Sequence, residues 1–193
     1  MKIASFIFFC LLMIYQSAAA AENTSADAVL KRNIEAVFAV LKKKDLAQET
    51  KNSEILEIVT PMFDFSLMAK LTLGRKNWSG LTAAQKEKFT GLFVDRLRAA
   101  YLSNLTLYSD EEIIYAPPVE NKQKISIPTY LVSKDKKISI LYKFYESDSR
   151  WKIYDLEIQG VSIIRSYRAQ FDQILQNGSF NDLLAKLEKP GQE

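Results

Sequence analysis

The sequence contains no histidine, and its one cysteine is Cys10. Without histidine there is no Ser-His-Asp triad, no Cys-His pair, no imidazole general base and no His-ligated zinc or non-haem iron. Glycine and proline are sparse, six and five residues of 193, and no Gly-rich phosphate loop or dinucleotide fingerprint occurs. An excess of one charge is lacking too: 26 Lys plus Arg stand against 23 Asp plus Glu, a net +3, far below the usual basic excess of nucleic-acid-binding proteins. No internal repeat or composition break marks a second domain. What is present is apolar material, 48% of residues, including eleven Phe, nine Tyr and two Trp. That is enough for one packed core at this length.

Long apolar runs are also rare, and the one that exists is N-terminal. Lys2 precedes the run Ile3 to Tyr15, and Gln16 to Ala21 is a small-residue stretch. The run is too short to span a bilayer, which takes about 20 residues, and it matches a secretory signal peptide cleaved after Ala20 or Ala21. Residues 1–21 are therefore expected to be a signal peptide and residues 22–193 a single exported domain. Cys10 sits mid-run rather than at the end of a lipoprotein leader, so the mature chain carries no cysteine and needs no disulfide.

Along the mature chain, Leu30, Ile34, Val37, Phe38 and Leu41 fall at helical spacing. Ser53 to Thr60 reads as a short helix stopped by Pro61, and Asp64 caps another that ends near Gly74. Thr82 and Gln85 form a capping box opening a long helix with Phe89, Leu92, Phe93, Leu97, Ala100, Tyr101 and Leu105 on one side. Strand patterns follow at Thr106 to Tyr115, Lys124 to Val132, Lys137 to Tyr145 and Arg150 to Ile158, joined by short turns that imply antiparallel neighbours. Gly160 and Ser162 start a helix with Ile163, Ile164, Tyr167, Phe171 and Leu175 inward; Ser179 caps a last one holding Phe180, Leu183, Leu184 and Leu187. Helices, an antiparallel sheet, then helices make an α+β layout, with about four strands.

Reactive constellations are scarce. Gly160-Val161-Ser162 begins like a nucleophile elbow but lacks its closing glycine and any activating histidine. Asp155 and Glu157 share one face of a strand and could serve as an acid-base pair, although salt-bridged carboxylates are the plainer reading. The acidic run Asp110 to Glu112 cannot converge on one cation from an extended strand. The chain is expected to be no enzyme and to bind no metal. Its apolar stripes, taken alone, read first as ordinary core; a helix-clad curved sheet can also enclose a cavity for an apolar ligand, and periodicity does not separate a filled interior from a hollow one.

Two blocks carry a family resemblance. The run Gly160-Val161-Ser162-Ile163-Ile164-Arg165-Ser166-Tyr167-Arg168-Ala169-Gln170-Phe171, preceded by Trp151-Lys152-Ile153-Tyr154-Asp155-Leu156, resembles the signature of the MlaC/toluene-tolerance family. Phe63-Asp64-Phe65, Met68-Ala69, Leu73-Gly74, Trp78, Thr82, Gln85, Phe89, Phe93 and Tyr101 match its other typical pattern. Where the family usually has an acidic residue before Gly-Val-Ser, this chain has Gln159.

The resemblance implies an NTF2-like fold, a curved sheet packed on helices around an apolar pocket. It implies a periplasmic phospholipid carrier of Gram-negative bacteria working between an inner-membrane ABC transporter with an MCE-domain protein and an outer-membrane lipoprotein complex beside porins. The bound phospholipid is then cargo, no cofactor is needed, and a monomer is expected. The alternative on the same scaffold is a periplasmic binding or adaptor module for another apolar ligand or a partner protein. Residues expected to line the pocket are Phe93, Leu97, Tyr101, Ile127, Ile140, Tyr142, Phe144, Trp151, Ile153, Val161, Ile164 and Phe171. Of these, Tyr142, Trp151 and Val161 sit at the family's typical positions and the rest follow from periodicity. Arg165 and Arg168 could meet a headgroup phosphate, or pair with Asp155 or Asp172.

Overall fold

Period-2 and period-3.6 stretches segregate in the computed structural model as the pattern requires. It describes residues 25–105, 111–133 and 136–189. The predicted signal peptide with Cys10, the stretch Thr106 to Asp110 of the first predicted strand, the side chain of Leu105 and the turn residues Lys134-Asp135 lie outside the described residues.

The helices are α1 (Ala26–Leu41), α2 (Gln48–Val59), α3 (Phe65–Ser79), α4 (Ala83–Leu105), α5 (Ile163–Asn177) and α6 (Phe180–Glu188), with a 3₁₀ turn at Thr60–Met62. The strands are β1 (Glu112–Tyr115), β2 (Val119–Asn121), β3 (Lys124–Ser133), β4 (Lys136–Ser147), β5 (Arg150–Ile158) and β6 (Val161–Ser162). They form one antiparallel sheet in the order β1-β3-β4-β5-β6, with β2 also paired to β3. The α+β layout holds, and six strands replace the expected four. The two additions, β2 and β6, are three and two residues long, too short to leave an alternating pattern.

Caps set the helix starts. The Leu67 amide donates to Asp64 Oδ1 at 2.8 Å. The Gln85 amide donates to Thr82 Oγ1, and the Thr82 amide to Gln85 Oε1, closing the predicted box. Ser179 and Asp182 close a second box. Two boundaries differ from expectation. α2 begins at Gln48, five residues early, because polar Gln48–Asn52 form a solvated turn that hydrophobic periodicity does not register. α3 leaves helical geometry at Gly74 (φ 77°, ψ 155°), where its end is expected, but helical turns resume beyond that kink and continue to Ser79.

Register assigns the sheet faces. Ile125, Ile127, Thr129 and Leu131 lie opposite Phe144, Tyr142, Ile140 and Ile138, and those continue to Ile153, Leu156 and Ile158 on β5. A bulge between Lys143 and Phe144 puts one extra residue, Tyr154, into β5. Without it, Ile153 and Asp155 would share a face; with it, Ile153 and Leu156 face the helices while Asp155 and Glu157 turn away. The helical cover is in two halves. α1 brings Ala26 and Leu30 onto Ile127, Phe144 and Ile153. α3, α4, α5 and α6 pack around Phe89, Phe93, Tyr167 and Phe171, with Leu156 and Ile158 against them. Among the described residues only Phe63 and Leu156 belong to both groups.

Candidate functional site

The apolar sheet face and the helices over it are where the predicted lining residues fall, but they do not form one set. Phe93, Leu97, Ile164 and Phe171 are buried in the helical half. There the Phe93 ring meets Tyr167 edge-on at 5.3 Å and stacks on Phe89 at 6.3 Å. Ile127, Phe144 and Ile153 are fully buried in the sheet half, with Tyr142 and Trp151 packed beside them. Ile140 lies between the halves on β4, half-buried and in neither group. Tyr101 and Val161 are exposed, 38% and 59%, against the expectation that both are inward. Val161 belongs to the two-residue edge strand β6, and its neighbour Ser162 takes the inward position. Tyr101 comes late in α4, after Leu97, the last buried residue of that helix among the described side chains.

The sheet half holds phenols that stay neutral. Burial pushes the Tyr142 phenol far above its ordinary value, and neighbouring Tyr115 adds to the rise. Tyr115 is raised by burial and by Glu35. This is an apolar layer with no group ready to ionise.

The opposite face carries the charge. Lys143 donates to Asp155 at 3.1 Å and to Glu157 at 2.9 Å. Burial alone would lower the Lys143 pKa, but these two carboxylates outweigh it and hold it above its usual value. Asp155 also accepts from Ser162 Oγ at 2.8 Å and from the Ile164 amide at 3.2 Å, which fixes the start of α5 to β5. Asp155 and Glu157 thus work as structural carboxylates. Lys143 was not singled out from sequence; the signal was a lone cation in the otherwise apolar stretch Ile138 to Tyr145.

Both arginines singled out for a headgroup have protein partners. Arg165 reaches Glu157 at 3.3 Å. Arg168 reaches Asp172 at 3.7 Å, and its guanidinium lies so near the Gly74 backbone that a Cβ there would stand 3.2 Å from it. Gln159, where the family usually has an acid, has φ 49°. Its Oε1 accepts from the Ser139 amide and hydroxyl at 3.0 and 2.9 Å.

Two clefts border this architecture. One, about 360 Å³, lies between α4, α5 and α6 and is lined by Arg96, Gln170, Gln173 and Lys186 over Phe171 and Leu187. The other, about 300 Å³, lies between α1, the 3₁₀ turn and the start of β5. Among the described residues no cluster of potential metal ligands occurs, and no helix is long and apolar enough to cross a membrane.

A helix-covered sheet with an apolar inner face and a Gly-Val-Ser-started α5 invites comparison with known proteins, and the MlaC family model matches residues 31–189. The chain belongs to the MlaC family. A solved phospholipid-binding protein from Ralstonia solanacearum, determined in complex with a phospholipid, has the same fold. It is 22% identical and superposes with a TM-score of 0.76 over 85% of this chain and 95% of the other. The family blocks map onto the seams of this MlaC protein. Gly74 and Arg168 join α3 to α5, and Asp155 with Ser162 joins β5 to α5.

Proposed function

We propose that this MlaC protein is a periplasmic phospholipid carrier. It takes lipid between an inner-membrane ABC transporter bearing an MCE-domain protein and an outer-membrane lipoprotein complex beside porins, and so maintains outer-membrane lipid asymmetry. Residues 1–21 are its cleaved signal peptide, residues 22–193 its single domain, and it works as a monomer. Family membership supports this reading, as does the phospholipid bound in the Ralstonia structure. The observation that carries it is the divided cover over one apolar sheet face, whose halves share only Phe63 and Leu156 among the described residues.

Enclosure is the whole of the mechanism. Two acyl chains of about sixteen carbons, at roughly 0.8 kcal/mol per methylene, put about 25 kcal/mol between water and an apolar site. A carrier must match most of that, and apolar side chains suffice. Acyl chains enter where α1 parts from the sheet, against Ile127, Ile140, Tyr142, Phe144, Trp151 and Ile153. Parting α1 from the sheet breaks the contacts of Ala26, Leu30 and Ile34, while Val40 and Leu41 keep their packing on Ile55 of α2; differences between pocket, membrane and partner then load and unload the site. Phe93, Leu97, Ile164 and Phe171 form the closed wall behind this site, and Tyr101 and Val161 lie at its margins.

Solvent extraction of the purified protein followed by mass spectrometry tests this. Stoichiometric phospholipid is expected. Another apolar molecule, or none, would point instead to the binding or adaptor role.

A further inference from the structure

The cleft beside α1 has a cationic rim and an apolar floor. Val29, Arg32 and Asn33, spaced i, i+3 and i+4, present one side of α1 to it. Pro61 and Met62 close it from the 3₁₀ turn, and Ser149 to Lys152 from the β4–β5 hairpin. That hairpin turns on Asp148 (φ 50°) and Ser149 (φ 58°), a two-residue loop that sets the position of Arg150 firmly.

Two of the polar groups are already engaged. Lys152 Nζ donates to the Pro61 carbonyl, and Asn33 Nδ2 to the Val29 carbonyl at 2.7 Å. Arg32 and Arg150 differ: both are exposed, and among the described residues neither has a side-chain hydrogen bond or ion pair. Among the described residues no carboxylate lines the cleft. Met62, 7% exposed, and Trp151 form the floor, and both also belong to the apolar group between α1 and the sheet. A positive rim therefore opens straight onto the layer where acyl chains are placed.

We propose that Arg32 and Arg150 bind the phosphate of the carried phospholipid, with its acyl chains passing Met62 and Trp151 into the layer beneath α1. This rests on the carrier reading and adds the headgroup site to it. About 300 Å³ holds a headgroup, and two planar guanidinium forks suit a phosphodiester. A free phosphate would gain nothing from the apolar floor. Arg165 and Arg168, each paired within the protein, are not needed for the role.

The test uses delipidated protein, wild type and Arg32→Gln/Arg150→Gln, incubated with vesicles of phosphatidylglycerol. Parallel incubations use diacylglycerol delivered on cyclodextrin with no other lipid present, which has the same tails but no phosphate, and inorganic phosphate alone. The variant is expected to melt like wild type, since both side chains are exposed. It should retain phosphatidylglycerol roughly tenfold to a hundredfold less well, yet take up diacylglycerol normally. Arg32→Lys/Arg150→Lys should recover part of the loss. If the double variant melts early, the two single glutamine variants give the same comparison, each with a partial loss. Equal retention of phosphatidylglycerol by variant and wild type overturns the headgroup site while leaving the carrier intact. Binding of inorganic phosphate that depends on the arginines, with unchanged lipid retention, also overturns it in favour of a free-anion site. Wild type that takes up neither lipid overturns the carrier reading and the headgroup site with it.

Discussion

At the residue scale, side chains of the same type divide by what they touch. Ile140 is half-buried and belongs to neither packed group, so Ile140→Glu should leave a folded protein. Copurifying phospholipid should vanish, because a carboxylate facing the acyl chains must be desolvated. Phe93 is fully buried among Phe89, Tyr167 and Phe171, so Phe93→Ala should cost about 3–5 kcal/mol in denaturant unfolding. The missing histidines and the leader-confined cysteine leave the mature chain no side chain whose ordinary pKa lies in the neutral range. Lys143 is raised because Glu157 and Asp155 outweigh its burial, and Tyr145 is raised by burial and by its hydroxyl's bond to Asp64. A raised group contributes stability that is complete below its unfolded pKa, here 10.0 for Tyr and 10.5 for Lys, and loses it as pH climbs through the folded value. The denaturant midpoint should therefore be level from pH 6 to 9, about as expected without histidine, and fall above pH 10.

At the element scale, the joints matter more than the rods. Ser162 caps α5 by accepting from the Arg165 amide at 3.1 Å and also donates to Asp155. Ser162→Ala should cost about 1–2 kcal/mol, measured by chemical denaturation. Gly74 combines φ 77° and ψ 155° with a guanidinium pressed against it, a backbone region that only glycine occupies readily. Gly74→Ala should cost about 1–3 kcal/mol and loosen α3 from α5. Much of this architecture was legible in the chain. The Thr82–Gln85 and Asp64 caps, the strand pattern of β3 to β5 and the Gly-Val-Ser start of α5 all carry local chemistry that sequence displays. The Tyr154 bulge was not legible, because a bulge is a property of the pairing and not of either strand. Gly74 read as a terminus because a kink glycine and a C-cap glycine look alike in sequence. For the site, periodicity found apolar faces but could not sort them into two halves, since Phe93 and Phe144 are equally buried and only contacts tell them apart. The Arg32–Arg150 cleft joins residues more than a hundred positions apart, so no spacing pattern could reveal it.

At the scale of the whole molecule, the apolar groups beneath α1 and among α3 to α6 stay distinct, and a third ties α1 to α2 through Val40, Leu41 and Ile55. In the proposed carrier, cargo between the first two acts as part of the fold. Bound lipid should raise the unfolding free energy by about 2.7 kcal/mol at a free concentration a hundred times its Kd, so delipidated protein should melt below loaded protein. Transfer across water is the central claim, and its most direct measurement separates donor and acceptor vesicles by a membrane that passes the protein but not the vesicles. With labelled phospholipid in the donor, label should reach the acceptor only when the protein is present. Transfer should scale with protein amount and fail with Ile140→Glu. Label that stays with the donor in the presence of folded wild-type protein would contradict the account.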